Sequence, residues 1–467
     1  MNHIFSTQDD ENIIQQLIEI VGPIHVLQGQ DVKARSVSWG EDLACQSLVI
    51  VRPENTEQVS QIVKLANQEN RKIVVHGGRT GLVGALQEAQ STIAVSLERL
   101  VQVEPVDLKN RSVVVGAGVT LENVQNIAAD NSLFFALDIG ARGSATIGGT
   151  ISTNAGGLNV IRFGMMREQV LGLEVVTGDG QIINMMHSLI KNNAGYDLKH
   201  LFIGAEGTLG IVTRATLRLR FKAPQHNTAL LALPDLDTAI NLLHSLENEL
   251  TGQVSAFEVM WPEFYQRVTT KLADNSLPLA KDYPLYVLLE SLSSGDHDKE
   301  RFLSALEKHL ENEQILDAVI ANSERESSNF WALREDIEAL MSGGPTAHFD
   351  LALSSSDITS YLTDVIANVL ALKPQAVIMP FGHLGDNNLH LSINLPDGKM
   401  NELAVVKEAV YHSLKNYKGS VSAEHGIGTQ KKDYLTLSKN DSEIAMMKLL
   451  KTTLDPNNTI NSNLMFK

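Results

Sequence analysis

Two imidazoles with a turn between them are the first residues in this chain whose types and spacing could do chemistry. In FGHLGDNNLHLSINL, six residues separate His383 from His390, and Gly385 and Asp386 favour a turn that feeds a strand. Further on, SAEHGIG supplies Glu424 beside His425, among small residues that permit close approach. Two imidazoles and one carboxylate suit borderline divalent metals, zinc first, then manganese, iron or cobalt, and leave coordination positions open. A histidine in such a strand is more often a hydrogen-bonded structural residue, and spacing alone leaves the two readings level. NFWALRED adds Arg334 on a predicted helix. Its guanidinium could clamp a carboxylate through two parallel hydrogen bonds, or pair with Glu338 four residues on, and spacing does not choose between these.

Three segments carry more glycine than a structural loop needs: GGRTGLVGA from Gly77, GARGSATIGGTISTNAGG from Gly140 and IGAEGTLGI from Ile203. Without Cβ, successive N–H groups can approach a pyrophosphate, and Thr80, Ser144 and Thr153 can add hydroxyl hydrogen bonds. Each segment alone reads as tight turns; the three together favour a ligand. None is a GxGxxG set between strand and helix, so a nicotinamide-binding Rossmann domain is not supported.

The elements that must position these residues fall into two patterns. From Val49 the chain alternates strand and helix as SLVIV, TEQVSQIVKLANQEN and KIVVHGG, a β-α-β unit. STIAVSL, SVVVGAG and VLGLEVVTGDGQII follow, the last with a GDG turn suited to a hairpin. Beyond Pro224 come TALLALP, a helix from Asp235 to Leu250, SAFEVMW, a further helix, YPLYVLLESL, a helix near Asp298 to Leu310, ILDAVIAN, HFDLALS and AVIMPFG. This second pattern predicts a sheet backed by helices on one face. The tail from Gly419 is again rich in glycine and asparagine around one helix and is expected to return to the first domain. The reading is an α+β protein with domains at 1–223, 224–417 and 418–467. No heptads, low-complexity tracts or short repeats occur.

Composition narrows the class. A chain of 467 residues, 43% hydrophobic and 20% charged, has material for two or three cores. The net charge of −17, with no basic run, argues against nucleic acid. It does not forbid an anionic substrate, because a local arginine and a cation outweigh a distant screened surface. Cys45 is the only cysteine and reads as a packing residue. The amino terminus lacks the basic start and apolar stretch of a secretory signal, and no apolar run approaches 18 residues, so a cytoplasmic location without a transmembrane segment is expected.

The order GGRTGLVGA, GSATIGGTISTNAGG, VLGLEVVTGDG, IGAEGTLGI, spanning about Leu48 to Leu219, resembles the FAD-binding domain of the vanillyl-alcohol-oxidase flavoprotein superfamily. The resemblance implies that Gly77, Gly78, Thr80 and Gly81, with Arg79 and Leu82 in the same loop, hold the pyrophosphate. It implies that Ser144, Gly148, Gly149, Thr153, Asn154 and Gly157 line flavin and pyrophosphate, that Glu206 and Ile211 lie near the adenosine half, and that Asn461 approaches the isoalloxazine. Members that attach FAD covalently often have histidine directly after the paired glycines. Here that position is Arg79 and His76 precedes them, so non-covalent FAD is expected.

GHLGDNNLH and SAEHGIG resemble the carboxy-terminal domain of the D-2-hydroxyglutarate and D-lactate dehydrogenase branch, over about Pro224 to Asn461; this domain is expected to be a ferredoxin-like α/β cap. That similarity implies a dehydrogenase of D-2-hydroxy acids in which His383, His390 and Glu424 bind the metal and His425 is the base. Loss of hydride from the α-carbon requires loss of the hydroxyl proton; a cation lowers that hydroxyl's pKa, and a histidine can accept the proton. Arg334, Glu338, His348 and Asn388 form the expected substrate-binding set. The hydroxyglutarate enzymes typically carry a hydroxyl residue where this chain has Glu338, and lysine where it has His348, a weaker cation at neutral pH. D-2-hydroxyglutarate, D-lactate and D-malate therefore all stay open. The expected partners are the small acid and an electron acceptor, a quinone or an electron-transfer flavoprotein; the oligomeric state is open, a homodimer included. Two other readings are a metallohydrolase using the same His/His/Glu set with an activated water, and a non-catalytic flavin electron-transfer protein.

Overall fold

The structure, a computed structural model, describes residues 7–38, 43–87, 89–223, 225–273 and 276–466. Pro224, the expected start of the second domain, and the first six residues of the amino terminus lie outside these. The chain divides into two compact units. The first comprises Met1–Gly157, Phe163–Lys222 and Glu424–Lys467, the second Leu158–Arg162 and Ala223–Ala423. Residues 418–423 thus group with the second unit, where Ser420 bridges Ala352, and the returning segment begins at Glu424.

In the first unit, Val49–Val51 leads into the helix Thr56–Gln68, whose N-terminus is capped by the Asn55 side chain accepting from Gln58 N at 2.9 Å. The chain returns as Ile73–His76. The two strands of this β-α-β unit are not neighbours: Ile93–Ser96 lies between them, parallel to both. Apolar residues recur on one face of the helix, and Val59, Ile62, Val63 and Ala66 pack on Val49, Val51, Ile73 and Ile93. Each valine or isoleucine so removed from water contributes about 1.5–3 kcal/mol. A second, antiparallel sheet orders Ser112–Gly116, Gly210–Arg218, Val170–Thr177 and Ile182–Asn184. The expected hairpin at the GDG turn pairs Val176 with Ile182. Val176 and Ile211 of this sheet share the core of the first. Cys45 is buried with Val32, Val37, Ile50, Val74 and Ala94, a packing position. The returning segment is tied in by Ile460, which bridges Ile73 in parallel.

The second unit is a seven-stranded antiparallel sheet. In order from the edge strand Asp317–Ile320, its members are Gln225–Leu233, Leu285–Ser293, Val254–Met260, Val377–His383, Asn388–Asn394 and, at the other edge, Thr346–Ala352. Helices cover both faces, which corrects the one-sided arrangement expected from sequence. Leu230 and Ala232 pack with Phe264, Tyr265, Phe330 and Leu340 on one side. The alternate residues Leu231 and Leu233 are equally buried; period-two alternation turns them to the opposite side, where Leu236–Glu249 and Asp296–Glu311 pack. The strands read as continuous apolar runs for this reason.

Among the described residues, no helix is long and apolar enough to cross a membrane.

Candidate active site

Period-two alternation builds a polar patch into one face of the second unit's sheet. The registers pair Glu258 with His383 and His383 with Asn388; one step along, they pair Phe381 with His390 and His390 with Asp350. All six therefore point to one face. Val377–His383 and Asn388–Asn394 are joined by a tight turn in which Asn387 adopts a left-handed conformation, φ 65°. Gly382 permits the strands to close, since a Cβ there would meet Asn388 O at 2.2 Å. The result brings the His383 and His390 rings to 5.3 Å between centroids, with ligand nitrogens within 4.8 Å of one another.

His383 does not stand alone. Its Nδ1 lies 2.7 Å from Glu258 Oε1, and Glu258 Oε2 accepts from Arg334 Nε at 3.0 Å. Arg334 Nη2 lies 2.8 Å from the same oxygen, off the direction of a good hydrogen bond. Burial would raise the Glu258 carboxyl, but the charges and hydrogen bonds of His383 and Arg334 outweigh it and hold it below the usual carboxylate range. Arg334 ends the helix Glu324–Arg334, with its guanidinium 4.7 Å over the Phe381 ring. Glu338 falls in the next short helix, Ile337–Met341, and is exposed, so one continuous helix does not bring the two together. Sequence reasoning missed Glu258 and Asp350. Each is a buried carboxylate in an apolar strand, the only available signal, and nothing local ties either to a distant histidine.

The other expected substrate residues differ in kind. Asn388 is 5% exposed, and neither side-chain atom has a hydrogen-bond partner among the described residues. Buried amides are rarely left so, and this one lies beside the imidazole pair. His348 is exposed, its Nδ1 2.8 Å from Ser392 Oγ on the neighbouring strand.

In the first unit a cavity of about 370 Å³ is lined by the whole run Gly77–Leu82, by Gly148, Gly149, Thr153, Glu206, Ile211 and Asn461, and by Glu424 and His425. Ser144 lines a second cavity that shares Gly77, Gly78 and Arg79. The middle glycine segment is not a loop throughout: Ile147–Thr153 is a short helix. Asn154 and Gly157 are not among the lining residues. Asn154 ends that helix at φ 50° and accepts from Arg167 N, while Gly157 N donates to Glu424 Oε1 at 2.9 Å.

The glycines separate by what a side chain would meet. At Gly78 a Cβ would lie 2.0 Å from Ser144 O, so the protein itself demands glycine. At Gly81 it would meet nothing within 4 Å, and at Gly149 only Thr146 Oγ1 at 3.4 Å. These two leave backbone bare toward open space, the form of a cradle for a bound group. Glu206 is buried, and its carboxylate accepts from Ile427 N at 2.7 Å and Gly428 N at 2.8 Å, just beyond His425. Burial raises its pKa despite those bonds. Asn461, at φ 45°, donates to Glu206 O at 2.9 Å and accepts from Val75 N at 3.0 Å, pinning three segments at the cavity wall. His76 is fully buried while its neighbours Val75 and Gly77 line the cavity.

Two matches with known families fall on the chain: an FAD binding domain over residues 47–186 and the C-terminal domain of FAD linked oxidases over 222–464. The D-2-hydroxyglutarate dehydrogenase of Stutzerimonas stutzeri is 37% identical over 464 residues, covering 98% of this chain and 99% of that protein. The mitochondrial D-2-hydroxyglutarate dehydrogenase of Arabidopsis thaliana is 34% identical, over 98% of this chain and 82% of its own length. Among solved structures, p-cresol methylhydroxylase with substrate bound superposes with a TM-score of 0.76 at 14% identity, covering 98% of each chain, a likeness of fold. Glycine cradle, fold and relatives together define a flavoprotein oxidoreductase, an FAD-dependent dehydrogenase with an FAD-binding domain of the vanillyl-alcohol-oxidase type. The chain belongs to the FAD-linked oxidase family.

Proposed function

We propose that this protein oxidises a D-2-hydroxy acid to the 2-oxo acid, with FAD as electron acceptor and a divalent metal, zinc first, at His383, His390 and Glu424. The observation that carries the reading is the polar patch on the second sheet, where two imidazoles, the buried carboxylates of Glu258 and Asp350 and the unpartnered amide of Asn388 share one face. The donor set fits a borderline cation: imidazole nitrogens within 4.8 Å of one another, one ring held by a carboxylate. The bare backbone at Gly81 and Gly149 fits a non-covalent flavin, and His76 lies off the cavity lining.

Bound FAD supplies a hydride acceptor at N5, and a bound cation supplies Lewis acidity toward the substrate hydroxyl. The chain's own residues do the rest. His425, half-buried and lining the flavin-side cavity, takes the hydroxyl proton. Arg334 binds the substrate carboxylate through the guanidinium edge turned away from Glu258, and Asn388 donates and accepts at the same substrate. Gly157 N holds one oxygen of Glu424 and so orients its carboxylate. The electron acceptor that fits this reading is a quinone or an electron-transfer flavoprotein, and the location is the cytoplasm. The relatives favour D-2-hydroxyglutarate as the first substrate to test; His348 in place of lysine keeps D-lactate and D-malate beside it.

The test is an anaerobic panel of D- and L-2-hydroxy acids added to purified protein. The expected result is bleaching of the flavin absorbance by D-acids only, lost with a chelator and restored by zinc. Bleaching by L-acids, or a protein that cannot be loaded with FAD, overturns the reading.

A further inference from the structure

Glu258 is nearly sealed from solvent, 1% exposed, in the middle of an apolar strand. An isolated carboxylate there would cost several kcal/mol, so its surroundings must answer for it. One oxygen faces His383 Nδ1 at 2.7 Å and the other faces Arg334 Nε at 3.0 Å. Arg334 is in turn held against Phe381, the residue paired across the strands with His390. A single buried carboxylate thus touches both the histidine expected to hold a metal and the arginine expected to hold the substrate.

We propose that Glu258 is a positioning residue that prepares His383 for a divalent cation and sets Arg334 at the same time. This rests on the reading of His383 as a metal ligand. A carboxylate at Nδ1 fixes the proton on that nitrogen, which makes Nε2 the lone-pair nitrogen, and it strengthens the ring as a donor. The same anion engages Arg334 along its Nε–Nη2 edge, at 3.0 and 2.8 Å, so the guanidinium is fixed by that edge and Nη1 is the nitrogen left to a substrate. Arg334 is the countercharge that makes a buried glutamate tolerable, and the glutamate returns the service. Asp350, fully buried, lies directly opposite His390 in the register and accepts from Ser422 Oγ at 3.1 Å.

The experiment measures zinc binding by the FAD-loaded protein in competition with a chromophoric chelator, with thermal melting and flavin content as companions. Glu258→Gln keeps the shape, but its amide can present N–H to Nδ1 and favour the wrong tautomer; zinc should bind about 10-fold more weakly. That variant strands the Arg334 cation and can fail to fold, so the charge-free pair Glu258→Leu/Arg334→Met is made beside it. The pair should melt near wild type, keep its flavin and bind zinc about 100-fold more weakly. Wild-type zinc affinity in the folded pair overturns the positioning role while leaving the functional reading intact. A wild-type protein that binds no zinc overturns the metal reading and this inference with it.

Discussion

Glu206 accepts from the backbone of Ile427 at 2.7 Å, so a buried carboxylate of one glycine segment holds the loop that carries His425. The second oxygen takes Gly428 N at 2.8 Å, and both Gly426 and Gly428 sit at positive φ, 84° and 51°. Replacing Glu206 with glutamine sets an N–H donor against one of these N–H groups, at a cost of about 1–3 kcal/mol. Glu206→Gln should lower the melting temperature by several degrees and slow substrate-driven flavin reduction about 10-fold or more, with FAD still bound. Stopped-flow reduction beside a thermal melt checks this; an unchanged rate would show that the loop holds itself.

Gly78 and Gly81 make opposite predictions although three residues apart. A Cβ at Gly78 collides with Ser144 O at 2.0 Å, which backbone cannot yield, so Gly78→Ala should destabilise by about 3 kcal/mol or more and give little folded protein. Gly81 has open space; Gly81→Ala should leave apoprotein stability within about 1 kcal/mol yet weaken FAD. Melting curves with and without added FAD separate the two.

His76 should make the protein acid-sensitive. Burial first, then the charges of Arg79 and Arg35, bring its pKa down to about 4, with Glu98 opposing, and neither ring nitrogen has a hydrogen-bond partner among the described residues. The folded pKa lies below the unfolded value of about 6.5, so between those limits the unfolded chain takes a proton that the folded chain refuses. Stability therefore rises with pH from about 4 to about 6.5, by about 3 kcal/mol in all from this group. Denaturant midpoints measured through that window should show the slope in wild type and a flatter one in His76→Leu. Equal slopes would remove His76 as the cause.

His348 offers a test of substrate choice. Its ring is tied to Ser392 Oγ at 2.8 Å and exposed on the polar side of the sheet. His348→Lys places a full positive charge there through the neutral range. It should raise kcat/KM for D-2-hydroxyglutarate relative to D-lactate about 10-fold, visible as a ratio of initial rates; an unchanged ratio means that the distal carboxylate is held elsewhere.

What could be read along the chain was local. The helix start at Asp235 was legible because its cap, Asp235 accepting from Thr238 N, is a contact across three residues. The GDG hairpin and the His383–Asn388 turn were legible for the same reason, since turn chemistry is decided within a few residues. The glycine segments were legible as a set, but which glycine the protein needs and which faces open space depended on Ser144 O, far along the chain from Gly78. Helices on both faces of the second sheet were not legible, because an apolar run does not say what covers each side.

The sequence by itself determined the chemistry available: two imidazoles, a neighbouring Glu–His pair, an arginine and a glycine-rich frame for FAD. Only the tertiary structure decided their company. Glu258 meets His383 across 125 positions and Arg334 across 76, and Glu206 reaches Ile427 across 221. Strand register and burial select such pairs, and neither is encoded in spacing. A carboxylate in an apolar strand becomes bearable only when folding brings its counter-charges to it, which is why these partners first appear in the folded chain.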